Sequence, residues 1–224
     1  MISRQHKRPL AAGIIGAVLV GSLLAATLAL APFTTAHAQV GRNPQAEQFV
    51  QFQAQRIIGV LNNRTLSSAQ RIRTFGEIVN EIADIPRITT FVLGKYARTI
   101  TPGQMQRFGP IFRQYEQNVY ETRLSDFHGQ TVTVTGSVAR QTDDVIVNTL
   151  IGGGGLQQPL PVAWRVLGGD ARWKVVDVQV NGIWLAITQQ QDFVSTIDNH
   201  GGAVDALISQ LQQQTEQQTN ARPQ

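Results

Sequence analysis

The chain has no cysteine among its 224 residues. That absence excludes structural disulfides, thiolate metal sites, a cysteine nucleophile and a lipid-modified cysteine anchor. Stability must come from an ordinary hydrophobic core. Histidine is scarce too. Beyond residue 38 only His128 and His200 remain, each beside glycine, and neither has a partner at metal-ligand spacing. No Gly-x-Ser-x-Gly, His-Glu-x-x-His or dinucleotide fingerprint occurs. Gly152–Gly155 is followed by Leu156-Gln157-Gln158-Pro159, not by the Gly-Lys-Ser/Thr and helix of a phosphate loop. Asp143-Asp144 is an acidic pair at a strand start and reads as a solvated hairpin turn rather than a catalytic dyad. No cluster of Arg and Lys with interleaved aromatics occurs after residue 38, so a nucleic-acid footprint is lacking.

What is present begins at Met1. Arg4, Lys7 and Arg8 form a basic start without an acid. An apolar run from Leu10 to Pro32 follows, then Ala36-His37-Ala38 and Gln39. This order reads as a secretory signal peptide over residues 1–38, cleaved after Ala38, and places the protein in the periplasm. The run also reaches the roughly 20 residues of a membrane span, but its glycines and small-residue exit favour cleavage. Those three basic residues leave 16 of the 19 Lys and Arg against 15 Asp and Glu, a net charge of +1. The high sequence pI therefore belongs largely to the leader. The remaining 186 of 224 residues suit one domain.

Helical spacing of Phe49, Phe52, Ile57, Val60 and Leu61 predicts a helix from about Gln45 to Leu61. Ser67 or Ser68 caps the next, which carries Ile72, Phe75, Ile78, Val79 and Ile82. Asp84-Ile85-Pro86 opens a short helix through Ile88, Phe91, Val92 and Tyr96. Thr101-Pro102 opens a long one with Met105, Phe108, Ile111, Phe112, Tyr115, Val119 and Leu124 on a broad stripe. The period then becomes two. Thr131–Thr135 alternates, and Asp143–Ile151, Leu160–Leu167 and Trp173–Val180 read as further strands. Gly168-Gly169-Asp170 and Asn181-Gly182 are turns. Helix returns from Ile183 to Ile197, and a last helix covers Ala203–Leu211. The Gln-rich stretch 212–224 reads as a polar, frayed or disordered tail.

The expected class is α+β: a twisted, four-stranded antiparallel sheet packed with six to seven helices, forming one domain over residues 39–211. Val132, Val134 and Val138 are expected on one strand face. So are Val145 with Val147, Val162 with Trp164 and Val166, and Val176 with Val178 and Val180. Periodicity alone does not separate a filled core from one with room for a ligand.

Several stretches together resemble the MlaC / toluene-tolerance family of periplasmic phospholipid-binding proteins. They are Phe91-Val92-Leu93-Gly94-Lys95-Tyr96-Ala97-Arg98 with Thr101-Pro102 and the Phe108–Phe112–Tyr120 helix, Trp173-Lys174-Val175-Val176-Asp177-Val178, and Val180-Asn181-Gly182-Ile183-Trp184-Leu185. Gln191-Asp192-Phe193 and Gly201-Gly202-Ala203-Val204-Asp205-Ala206-Leu207-Ile208 fit as well. Leu185-Ala186-Ile187-Thr188-Gln189 resembles the branch tied to hopanoid-producing bacteria. The likeness covers about residues 45–211. It implies a soluble carrier, without enzyme activity, cofactor or metal. Such a carrier shuttles phospholipid between an inner-membrane ABC transporter complex and an outer-membrane lipoprotein complex, maintaining outer-membrane lipid asymmetry. It implies an apolar pocket between sheet and helices. With strand alternation, that pocket assigns Phe91, Phe108, Phe112, Val134, Val147, Trp164 and Val178 to the acyl chains. Two positions depart from the family: Gln190 stands where an Arg is frequent, and Trp184 replaces a small residue. A carrier of hopanoid or another apolar molecule, a filled envelope adaptor, and an enzyme with dispersed groups remain alternatives.

Overall fold

The computed structural model describes residues 41–124, 128–169 and 172–220. The leader reading over residues 1–38 and Asp170 of the expected turn lie outside them. The described residues belong to the compact unit Ala38–Gln224. Helix α1 runs Pro44–Asn62, with Asn43 accepting from the Ala46 amide and proline in its first turn. Helix α2, Ser68–Ile82, starts on a capping box in which Ser67 and Gln70 satisfy each other's amides. Helix α3, Ile85–Phe91, is capped by Asp84 and runs into a 3₁₀ turn, Gly94–Arg98. Helix α4, Pro102–Leu124, carries Pro110 inside it.

Strands β1 (Gln130–Gln141), β2 (Asp144–Gly153), β3 (Leu160–Leu167), β4 (Lys174–Val180) and the two-residue β5 (Ile183–Trp184) form one antiparallel meander in chain order. The class is thus α+β as expected, with β5 added by the hairpin through Asn181-Gly182. Asn181 takes a φ of 49° and Gly182 one of 86°, the left-handed values that a two-residue hairpin needs. Helices α5 (Leu185–Asn199) and α6 (Val204–Asn220) complete the order.

Three expectations change. Helix α6 does not end at Leu211 but continues through Gln212–Asn220, because glutamine is a good helix former and no glycine or proline interrupts it. Two of the three register shifts bear on the expected strand faces. One lies between Val134 and Gly136, and it turns Val138 outward, 42% exposed, while Ser137 and Ala139 take the inner positions. The second, between Arg165 and Val166, pairs Val166 with Val175 and leaves Val176 without a partner in the ladder. Asp144 is no solvated turn residue. It is buried, and Arg165 grips it through Nε at 3.0 Å and a second nitrogen at 2.9 Å, with Arg140 at 3.2 Å.

Helix α1 lies along β1, the free edge of the sheet. Gln51 Oε1 accepts from the Val134 amide at 3.2 Å, and Asn62 Nδ2 donates to the Gln130 carbonyl at 2.9 Å. Ser137 Oγ donates to Glu47 and accepts from the Asn43 amide. An edge that would otherwise offer unpaired groups is covered by a helix.

Candidate functional site

Strand register decides which side chains meet. Ala139, Val145, Val166 and Val175 form one row across the sheet. Ser137, Val147, Trp164 and Val178 form the next, and Val134, Thr149, Val162 and Val180 the third. Helices α1 and α2 pack on these rows through Ala46, Val50, Ile57, Leu61, Ile78 and Ile82. Four of the expected site residues, Val134, Val147, Trp164 and Val178, therefore share one apolar cluster. Their burial differs. Val147 has no exposed surface, whereas Val134, Trp164 and Val178 are half-buried. Trp164 Nε1 donates to Thr149 Oγ1 at 3.1 Å, and that hydroxyl donates to the Val162 carbonyl at 2.9 Å. The polar atom of the indole is satisfied inside the sheet, leaving the ring as apolar surface.

Phe108 and Phe112 belong to a second cluster, built by α4, α5, α6 and the α3 end. Their rings stack at 5.6 Å and 6°. Phe193 stands edge-on to both, at 6.0 and 5.7 Å. Val92, Leu93, Ile197, Leu207 and Ile208 fill the rest. Phe91 joins neither cluster. It is 38% exposed and lines a surface depression with Asp84, Pro86, Arg87 and Thr90. The structure thus gathers four of the seven residues, sets two in a separate core and leaves one at the surface.

Sequence spacing did not single out Phe75, Tyr115 and Tyr120 as site residues. Phe75 of α2 meets Tyr120 of α4 edge-on at 5.4 Å, and Tyr115 reaches Phe193 at 6.4 Å. All three are half-buried. Phe75 and Tyr115 lie on the amphipathic stripes, but a stripe does not say which helix it meets. Tyr120 donates to Glu116 Oε2 at 3.1 Å. Burial first, then the Glu116 carboxylate, pushes its phenol far above the ordinary range, so the ring stays neutral.

Of the two positions that depart from the family pattern, Gln190 has a side-chain partner. Gln190 Nε2 donates to the Phe91 carbonyl at 2.6 Å, tying α5 to the end of α3. Trp184 is the N-cap of α5, with no side-chain capping bond. That duty falls to buried Asp177 on β4, whose Oδ1 accepts from the Ala186 amide at 2.8 Å. His200 Nδ1 lies 2.7 Å from the Thr196 carbonyl at the end of α5. Among the described residues no group of three His, Cys, Asp or Glu could hold a metal ion, and no helix is long and apolar enough to cross a membrane. The gathered groups are aliphatic and aromatic surface with internally bonded polar atoms. Such a surface is chemically suited to apolar contact.

Comparison with known proteins agrees with the fold. The phospholipid-binding protein from Ralstonia solanacearum, solved in complex with a phospholipid, matches with a TM-score of 0.68 at 23% identity. The match covers 78% of this chain and 98% of that one, and it shows a shared fold. The toluene tolerance protein ttg2D of Pseudomonas putida is 29% identical over 133 residues, which are 58% of this chain and 61% of that protein. The match thus spans less than two thirds of that relative's length. A family model described as MlaC protein matches residues 51–213, most of the chain, and the chain belongs to the MlaC family.

Proposed function

We propose that this chain is an exported periplasmic carrier of diacyl phospholipid. It shuttles lipid between an inner-membrane ABC transporter complex and an outer-membrane lipoprotein complex, and so maintains outer-membrane lipid asymmetry. The observation that carries the reading is the half-buried apolar surface of Val134, Trp164 and Val178 on the helix-facing side of the sheet, in a chain of this family. The phospholipid bound to the Ralstonia protein of the same fold supports it. The physical need is plain, since each acyl CH₂ exposed to water costs about 0.8 kcal/mol. A carrier must hide two chains and still release them, which favours apolar surface over specific polar grips. Native mass spectrometry of the exported protein tests this. The expected result is added mass matching a diacyl phospholipid. A hopanoid mass would replace the cargo, and bare polypeptide after mild purification would make the chain a filled adaptor.

A further inference from the structure

Helix α4 packs along α6 and also touches α2. Its contact with α2 includes the Phe75–Tyr120 ring pair. On one side of that pair lies the sheet cluster, against which Phe75 packs with Val134, Trp164 and Val178. Tyr120 belongs to α4, the helix that also carries Phe108 and Phe112 of the helical cluster. Each of the two helices carries a point of weakness, α2 next to Phe75 and α4 about three turns before Tyr120. Gly76 follows Phe75, is half-buried, and a Cβ on it would meet nothing within 4 Å. The same holds for Gly109, which precedes Pro110 inside α4. Glycine inside a helix loosens it, and proline has no N–H to give to the carbonyl one turn back. Helices bend at such points.

We propose that Phe75 and Tyr120 form a gate. The part of α4 beyond Pro110 parts from α2, an acyl chain passes to the Val134–Trp164–Val178 surface, and the rings close behind it. The proposal rests on the phospholipid-carrier reading and names how that site is entered. Gly76 and the Gly109-Pro110 step let each helix bend, and an edge-on ring pair is a contact that can be remade many times.

The absence of cysteine allows a clean test. A chain with Phe75→Cys and Tyr120→Cys is linked by a short bis-methanethiosulfonate reagent. Exchange is followed with phosphatidylcholine vesicles carrying pyrene-labelled phosphatidylcholine. The link should slow exchange by about tenfold or more, and reductant should restore it. Equal rates with and without the link overturn the gate. A second variant, Tyr120→Leu, should exchange about threefold to tenfold faster, the range set by losing one aromatic pair. A lower Tm with unchanged exchange would mark the contact as purely structural and overturn the gate as well. Native mass spectrometry of the wild type separates the two failures. No bound phospholipid overturns the carrier reading and the gate with it. Bound phospholipid with link-insensitive exchange overturns the gate alone.

Discussion

Asp177 lies on β4 but acts on α5. Its Oδ1 accepts the Val178 and Ala186 amides, each at 2.8 Å, at a helix start whose own N-cap residue offers no side-chain bond. Burial raises its pKa above the ordinary aspartate range, and the amides of Ala186, Val178 and Ile187, with Arg165, offset this in part. The linkage sign follows. A raised folded-state pKa gives a contribution fully present below the unfolded value of about 4 and lost as pH rises through the folded value. Asp177→Asn keeps the accepting oxygen and removes the titration. Denaturant unfolding across acid pH should therefore show wild type gaining on the Asn variant as pH falls from the folded value to about 4, with the difference level below that. A constant difference would mean that Asp177 does not carry the linkage. Asp177→Ala removes the acceptor and should cost about 1–2 kcal/mol at neutral pH. Gly94 is a second residue-scale constraint. Its φ is +53°, and a Cβ there would stand 2.6 Å from Val194 Cγ2 on α5. Gly94→Ala should destabilise by about 1–3 kcal/mol, read as a lower Tm with the secondary structure retained.

At the scale of elements, the helices were the most legible part of the sequence. The Ser67 cap, the Pro86 start and the Thr101-Pro102 start each fall within a residue of an observed boundary, because capping is local chemistry. Strand existence was legible for the same reason, through alternation. Strand facing was less so. A bulge is one extra residue, and beyond it every side chain changes sides. Val138 therefore points outward while Val132 and Val134 do not. The expectation for this strand is direct. Val138→Asp should change stability by less than about 0.5 kcal/mol, as at other exposed positions. Ala139→Asp, at the inner position beside Val145, should cost several-fold more in denaturant titration. Equal effects would place the shift elsewhere. The α6 extension was missed for the opposite reason. A run of glutamine looks like a tail by composition, yet its propensity is helical, and Gln214, Thr215 and Gln218 are half-buried along the continuation of Leu211.

At the scale of the whole molecule, apolar residues divide between a sheet core and a helical core, and no spacing rule assigns a residue to one or the other. That is why seven residues chosen as one site fall in three places. Within the sheet core, burial separates packing from accessible surface in a single row. Val147 has no exposed surface, whereas Val178, two strands away in the same row, is half-buried. The same substitution at the two positions should therefore act differently. Val147→Trp adds a ring where no space exists, and overpacking should cost the lipid-free protein about 1–3 kcal/mol or more. Val178→Trp adds the ring where the side chain still has open surface. It should occupy acyl-chain space, lowering bound phospholipid while the lipid-free protein melts near the wild-type temperature. Lipid content and Tm are to be measured together on delipidated and lipid-loaded protein. A large loss of apo stability at both positions, with lipid content unchanged, would make the whole row ordinary core. The carrier reading would then lose the surface on which it rests.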